Sequence, residues 1–127
     1  MAVRYTLKVV TEFASAHRLR DYDGACSQMH GHNWKVEVEA EATELDEVGM
    51  AIDFKILKQA AVSVVSHLDH RVLNEVDPFD RANPTAENIA AYLYGALHRQ
   101  LREPRIRVAA VTVWENERAC VRYVEEN

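Results

Sequence analysis

Two stretches of the chain alternate between apolar and polar residues in the way that β-strands do. In residues 33–43, NWKVEVEAEAT, one parity holds tryptophan, valine and alanine, while the other holds lysine and glutamate. Such alternation predicts a strand with one face on a hydrophobic core and a polar opposite face. Residues 4–14, RYTLKVVTEFA, alternate less regularly and predict another strand, earlier in the chain.

Apolar residues recur at helical spacing in two later segments, each behind a residue that commonly caps a helix. Asp53 precedes the first segment and Thr85 precedes the second. The second helix should end before Pro104, because the residue ahead of a proline disfavours helical geometry. The apolar stripes consist of Phe54, Leu57, Ala61, Val64, Val65 and Leu68 in the first helix and of Ile89, Leu93, Ala96, Leu97 and Leu101 in the second.

The C-terminal part of the chain predicts two further strands, at 105–115 and 119–124, joined as a hairpin. The segment between the two helices reads as a loop. The resulting order, β-β-α-α-β-β, is typical of an α+β fold in which two helices cover one face of an antiparallel sheet. A chain of this length predicts one domain, over residues 1–127.

The second face of this sheet also carries apolar residues in the sequence pattern. Val111 and Val113 lie on one parity of the third long strand, and Trp114 lies on the other. Two helices cannot cover both faces. We therefore expect neighbouring copies of the chain to cover the second face.

Composition narrows the classes of function. Charged residues make up 28% of the chain and the net charge is -5, which argues against nucleic acid or an anionic membrane as the partner. No apolar run approaches the roughly 20 residues that span a bilayer. The first residues lack the pattern of a secretory signal, and there are only two cysteines, so we expect a cytoplasmic protein with reduced thiols.

Three of the six histidines stand where the first two strands should meet. His30 and His32, within CSQMHGHNW, lie two residues apart and so on one side of a strand. Antiparallel pairing would bring His17, at the end of the preceding strand, beside them. Three imidazoles without a fourth protein ligand are typical of a catalytic zinc site with one open position. Gly31, between two of the ligands, should allow the backbone to turn tightly. The alternative is a pair of exposed loop histidines.

Other residues near these histidines have more than one interpretation. Cys26 could be a zinc ligand, a buried thiol, or a nucleophile or base, whereas Cys120, in a predicted strand, should be inert. Asp69 and His70 form a carboxylate–imidazole pair or merely a solvated helix end. Glu115 shares strand parity with two valines, and a carboxylate on that apolar face needs a partner, which a ligand could supply. His67 and His98, within the predicted helices, read as structural or surface residues.

Six motifs occur in order along the chain: FASAH, CSQMHGHNW, IDF, LDHRVLN, NPTAEN and VWE. Together they resemble the family of 6-pyruvoyltetrahydropterin and 6-carboxytetrahydropterin synthases. The resemblance implies the tunnelling fold, or T-fold, with the same order of strands and helices. It also implies that three chains close their sheets into a barrel, and that two trimers stack as a homohexamer.

The resemblance further implies roles for eight residues of this chain. They are His17, His30 and His32 as zinc ligands, Cys26 as the catalytic thiol, Asp69 and His70 as its acid–base partners, Glu115 as the anchor of the pterin ring, and Thr85 as part of the pterin pocket across a subunit interface. Nearby basic residues that are candidates for binding the triphosphate are Arg18, Arg20, Lys35 and Arg71.

Members of this family act on 7,8-dihydroneopterin triphosphate, with two outcomes. One breaks a C–C bond to give 6-carboxytetrahydropterin and acetaldehyde, for queuosine and other 7-deazapurines; the other gives 6-pyruvoyltetrahydropterin. The short spacing between Cys26 and His30 resembles the carboxytetrahydropterin group, so we expect that activity, with the pyruvoyl product as the alternative. A third hypothesis is a T-fold protein that binds metal but does not catalyse a reaction of pterins.

Overall fold

The computed structural model describes residues 2–126 of the chain, so that Met1 and Asn127, at the two ends of the predicted domain, lie outside the described residues. The long elements follow the predicted order, with one short strand added. In chain order they are β1 (Tyr5–His17), β2 (His30–Ala42), α1 (Phe54–Ser66), β3 (Arg71–Val72), α2 (Ala86–Gln100), β4 (Arg107–Asn116) and β5 (Ala119–Tyr123).

One five-stranded sheet, ordered β3-β1-β2-β4-β5, forms the frame of the molecule. β1 and β2 pair antiparallel along their whole length, from Tyr5 opposite Ala42 to His17 opposite His30. β3 pairs parallel with β1 only at Ser15 and Ala16. The prediction of a plain loop was wrong at β3, because two residues are too few to show an alternating pattern.

Both strands of the central pair are longer than the sequence pattern predicts. β1 continues past residue 14 to His17, and β2 begins at His30 rather than at residue 33. The inward positions in these extensions hold serine and histidine instead of apolar residues. The alternation of apolar and polar residues is therefore not visible in the sequence at the end of the sheet where the serine and the histidines lie.

Both helices pack on the same face of the sheet, as predicted for this α+β fold. Trp34, Val36 and Val38 of β2 point into this layer and are completely buried, together with Leu57 of α1 and Leu93 of α2. Each helix begins at its predicted cap. The Asp53 carboxylate accepts the Lys55 N–H at 2.8 Å, and the Thr85 hydroxyl accepts the Asn88 N–H at 3.1 Å.

The opposite face of the sheet is largely charged. Lys8 Nζ lies 3.2 Å from Glu37 Oε2, and the Arg122 guanidinium donates to both oxygens of Glu39 at 2.9 and 3.1 Å. Val111 and Val113 are both buried on the helix side, and only Trp114 of the three apolar residues named above points outward. The strand parity predicted for β4 is therefore confirmed, with Trp114 on the second face among charged residues. The expectation that neighbouring chains cover this face stays a prediction.

No helix in the described part of the chain combines the length and the hydrophobicity needed to cross a membrane.

The ion pair between Glu39 and Arg122 generates a pH-dependent prediction. The hydrogen bond from Arg122 holds the pKa of Glu39 below its usual value. A lowered folded-state pKa gives stability that is complete above the unfolded-state pKa and is lost as pH falls through the folded-state value. Glu39→Gln should therefore reduce the free energy of unfolding by about 1 kcal/mol at neutral pH and by almost nothing in strong acid.

Denaturant titrations at a series of pH values measure this difference. Glu12→Gln, at an exposed position of the same face, serves as the control and should show no comparable pH dependence. A Glu39→Gln deficit that is the same at neutral and acidic pH contradicts the prediction.

Candidate functional site

Three imidazoles and one carboxylate converge at one end of the sheet. The pairing of β1 with β2 places His17 opposite His30 and His32 opposite Ser15, while Glu115 comes from the end of β4. One potential ligand atom from each of the four side chains lies within 4.8 Å of all the others. The convergence of the three histidines that strand pairing predicted is present, and Glu115 joins them.

The outer hydrogen bonds of His17 and His30 fix which ring nitrogens face inward. His17 Nδ1 lies 2.7 Å from the Pro84 carbonyl oxygen, and His30 Nδ1 lies 2.7 Å from the Gln28 carbonyl oxygen. A carbonyl only accepts, so each Nδ1 donates its hydrogen and each neutral ring keeps a lone pair on Nε2. These two Nε2 atoms are 3.1 Å apart. Two lone pairs at this distance repel one another unless a cation or a proton lies between them.

His32 adds a third inward nitrogen that lacks a partner. Its Nε2 is buried and makes no hydrogen bond to any described residue. Glu115 Oε1 is 3.3 Å away, close enough for an ion pair, but the two groups are not aligned as a hydrogen bond. Burial lowers the pKa of both His17 and His32, which favours the neutral imidazole.

The three imidazoles and the carboxylate are suitable ligands for a zinc ion. Neutral imidazole nitrogens and a carboxylate oxygen are common zinc ligands, and metal-binding histidines generally donate their other N–H to a carbonyl or carboxylate, as His17 and His30 do. An unpartnered buried nitrogen on His32 is also accounted for by coordination. The four residues are therefore suited to hold a metal.

Gly31 does not make the tight turn that we expected between the two histidines. It lies within β2, and among the described glycines a left-handed φ is confined to Gly49, at 84°. A Cβ added at Gly31 would approach the Ser15 carbonyl oxygen to 4.0 Å, an ordinary contact. His30 and His32 share a direction because they are two residues apart in an extended strand.

Cys26 lies beside the histidine cluster but is not one of its four members. It is half-buried in a one-turn 3₁₀ helix, Ala25–Ser27, which is tied to the end of β1 by the Leu19 N–H donating to the Cys26 carbonyl at 2.8 Å. Cys26 lines a cavity of about 230 Å³ together with His17, Thr85 and Glu115. The structure therefore brings the candidate thiol, the pocket residue and the candidate ring anchor together.

Asp69 and His70 do interact, but away from Cys26. His70 has a left-handed backbone conformation, φ 57°, and its Nδ1 lies 3.0 Å from Asp69 Oδ1. Asp69 Oδ1 also accepts the Ala14 N–H at 2.9 Å, a bond that lowers the pKa of Asp69. The pair lines a separate depression at the edge of β1, and the His70 side chain is 82% exposed. Within one chain, the pair and Cys26 therefore line different cavities, and their partnership stays a prediction.

The basic candidates differ in how free their side chains are. Arg20 donates to the carbonyls of Phe79 and Ala82, at 2.7 and 3.0 Å, and so holds a loop. Arg18 and Arg71 are exposed. Lys35 lines a cavity of about 620 Å³ with His32, Trp114 and Glu115, among other residues.

The remaining cysteine and histidines lie in or next to the elements predicted for them, and the inertness of Cys120 stays a prediction. Cys120 lies in β5 and is exposed, and both cysteines are free thiols. His67 caps the end of α1, and His98 lies on α2 stacked against Tyr94. Sequence reasoning missed the carbonyls of Gln28 and Pro84, which orient two of the three rings. Every residue has such a carbonyl, so no side-chain pattern could have revealed them.

Comparison with known proteins identifies relatives along nearly the whole chain. A sequence model of the family described as 6-pyruvoyl tetrahydropterin synthase matches residues 6–126. A protein of Archaeoglobus fulgidus named putative 6-carboxy-5,6,7,8-tetrahydropterin synthase is 38% identical over 109 residues, covering 86% of either chain. A Synechocystis protein named 6-carboxy-5,6,7,8-tetrahydropterin synthase is 37% identical in a 90-residue alignment that covers 67% of this chain and 68% of that protein.

Solved structures show the same architecture. The structure of Caenorhabditis elegans 6-pyruvoyl tetrahydropterin synthase superposes with a TM-score of 0.88 and 29% identity, and the match covers 98% of each chain. An uncharacterised protein of Wolinella succinogenes superposes with a TM-score of 0.81 over 98% of this chain and 100% of its own, at 20% identity, which shows a likeness of fold alone.

The histidine cluster predicts the effect of single substitutions on metal content. His30→Ala or His32→Ala should remove most of the metal, since each deletes one of three converging imidazoles. His98→Ala, at an exposed helix position, is the matched control and should retain it. Elemental analysis of the purified proteins measures zinc per chain, with about one expected in the parent. Full zinc retention in both cluster variants would rule out the assignment.

Proposed function

The chain belongs to the 6-pyruvoyl tetrahydropterin synthase family, and from this membership we propose that it is a lyase, a 6-carboxy-5,6,7,8-tetrahydropterin synthase. It converts 7,8-dihydroneopterin triphosphate to 6-carboxytetrahydropterin, acetaldehyde and triphosphate, a step in making queuosine or another 7-deazapurine. The observation that carries the proposal is the convergence of three inward-facing imidazoles and Glu115 beside a cavity lined by Cys26.

Glu115 orients the pterin ring. The ring presents N3–H and its 2-amino group as two parallel donors, which one carboxylate can accept together. Glu115 lines both the cavity of Cys26 and the larger cavity of Lys35, and its side chain is 32% exposed. It is therefore open to a ligand on either side. Thr85, whose hydroxyl already caps α2, forms part of the wall of the smaller cavity.

His17, His30 and His32 hold the zinc ion, with the Pro84 and Gln28 carbonyls fixing the orientation of two of the rings. When bound, zinc supplies a Lewis acid that makes protons next to the side-chain hydroxyls of the substrate more acidic. Cys26 Sγ, in the adjoining cavity, moves a proton between side-chain positions.

His70 is the second proton-transfer group. Asp69 lies against its Nδ1, which holds the Nδ1–H tautomer and leaves Nε2 free as a base. Because the pair lies at the edge of β1, in a depression separate from that of Cys26, we propose that it serves the site of a neighbouring chain.

Two strands of the sheet have unpaired edges at which a neighbouring chain could bind. Among the described residues, β5 has a partner strand on one side only, and β1 meets β3 only at Ser15 and Ala16. Such edges can pair with strands of another chain.

We propose that three chains join their sheets into a barrel and that two trimers stack as a homohexamer. Light scattering should therefore give a molar mass that is a multiple of three chains.

The first alternative shares all of these residues but stops after triphosphate elimination, with 6-pyruvoyltetrahydropterin as the product. It is favoured by the likeness to the Caenorhabditis elegans protein of that name. The names of the relatives at 37–38% identity and the short spacing from Cys26 to His30 favour the carboxytetrahydropterin activity. The second alternative is a T-fold protein that binds metal without catalysis.

Product identification separates the three alternatives. The zinc-loaded protein is incubated with 7,8-dihydroneopterin triphosphate, and the products are identified by mass. We expect 6-carboxytetrahydropterin together with acetaldehyde. A 6-pyruvoyl product would replace our assignment with the first alternative, and an unchanged substrate would favour the metal-binding protein.

An interfacial site predicts complementation between two inactive variants. Cys26→Ala and His70→Ala should each lose about 10²–10⁴-fold in rate, because each removes a proton-transfer group. Co-assembled in equal amounts, they should recover about a quarter of the parental activity, since an interface between unlike chains can pair an intact Cys26 with an intact His70.

The controls concern zinc and the second thiol. Cys26→Ala should retain its zinc, and Cys120→Ala, at an exposed position of β5, should turn over normally. Mixed oligomers, verified by two different affinity tags, that remain as inactive as the single variants would show that the two groups do not serve a shared site.

A further inference from the structure

Glu115 is placed both to reach the metal and to reach the substrate cavities. Its carboxylate is one of the four groups whose ligand atoms converge, with Oε1 3.3 Å from His32 Nε2. The same side chain lines the walls of both neighbouring cavities. A group that only anchored a ring would have no reason to lie among the imidazole lone pairs.

The distances within the cluster suit four ligands of one ion. Ligands arranged tetrahedrally around zinc at roughly 2.0–2.1 Å lie about 3.3–3.4 Å from one another. The separation between His32 Nε2 and Glu115 Oε1 is 3.3 Å, and that between the Nε2 atoms of His17 and His30 is 3.1 Å. The remaining pairs lie within 4.8 Å. Two of the distances between ligand atoms are therefore already close to the distance expected between ligands of a tetrahedral zinc ion.

Electrostatics favours the same arrangement. The Nε2 atoms of His17 and His30 present lone pairs, and His32 Nε2 is buried without a hydrogen bond. A carboxylate next to these groups adds negative charge to a region that is already rich in electron pairs. A divalent cation between them converts each repulsion into an attraction, and the carboxylate offsets part of its charge.

We propose that Glu115 is the fourth ligand of the metal while no pterin is bound, and that the pterin ring draws it away. The second half of this statement rests on the proposed function, in which Glu115 accepts the ring N–H groups. A bidentate contact with the ring uses both carboxylate oxygens, whereas coordination takes at least one of them. The resting site is then closed by the chain's own carboxylate, and its fourth position opens only when a ring is bound.

This exchange makes metal and ring compete for one side chain. A ring that contacts Glu115 but carries no side-chain oxygen offers the metal nothing in return. Its binding should therefore weaken zinc affinity, and zinc should weaken the affinity for the ring by the same factor, because coupling between two sites is reciprocal. Unsubstituted pterin is such a probe.

The first measurement is zinc affinity without pterin, by competition with a chromophoric chelator. Glu115→Gln keeps the size of the side chain and removes its charge, and it should weaken zinc binding by more than about tenfold. Glu117→Gln is the matched control, because Glu117 lies on the wall of the same large cavity but outside the cluster. Its zinc affinity should equal that of the parent.

The second measurement is the coupling, obtained by titrating pterin into the zinc-loaded and zinc-free forms of each protein. The parent and Glu117→Gln should bind pterin more weakly when loaded with zinc. Glu115→Gln should show no such difference. The comparison within the parent requires no substitution, so it tests the proposal even if Glu115→Gln folds poorly.

The outcomes separate this proposal from the proposed function. Unchanged zinc affinity in Glu115→Gln overturns the ligand role, whatever happens to pterin binding. Equal pterin affinity of the zinc-loaded and zinc-free parent overturns the exchange. Weakened zinc affinity in Glu115→Gln, together with parental pterin affinity, supports the ligand role and contradicts the ring-anchoring role of Glu115 in the proposed function.

Discussion

The antiparallel register of β1 against β2 is the constraint on which both the core and the candidate site depend. It sets Phe13 opposite Trp34 in the buried layer and, at the same end of the sheet, His17 opposite His30. Because side chains alternate along a strand, a slip of one residue would turn Trp34 toward the charged face and separate the imidazoles. His17 is itself only 2% exposed, and its ring meets the edge of Trp34 with centroids 4.9 Å apart. The hydrophobic packing that specifies the register therefore also assembles the histidines.

The start of α2 joins the helix layer to this cluster. Pro84 receives the outer N–H of His17, and the next residue, Thr85, caps the helix and lines the cavity of Cys26. Helix capping, ring orientation and cavity shape are thus determined by adjacent residues. A change in how α2 begins should therefore alter the orientation of His17 in the cluster, even though no residue of the helix is among the four converging groups.

β1 supports two sets of reactive groups that remain apart within one chain. Its inward side chains end at His17, beside the cavity of Cys26, while the backbone of Ala14 binds both Asp69 and His70 at the edge of the sheet. Asp69 and His70 are held rigidly by hydrogen bonds, yet the imidazole is mostly exposed. The exposure of His70 leaves its ring accessible from outside the chain, which is what the proposed role in the site of a neighbouring chain requires.

The sequence by itself determined the order of the long elements, the caps at Asp53 and Thr85, and the meeting of His17, His30 and His32, because these follow from periodicity and strand parity over a few residues. It did not determine β3 or the extended backbone at Gly31. Only the tertiary structure showed that backbone carbonyls orient two imidazoles, that Glu115 joins the cluster, and that His70 lies away from Cys26. These features depend on distances between residues far apart in the chain and on backbone groups common to every residue, which leave no local pattern of side chains to read.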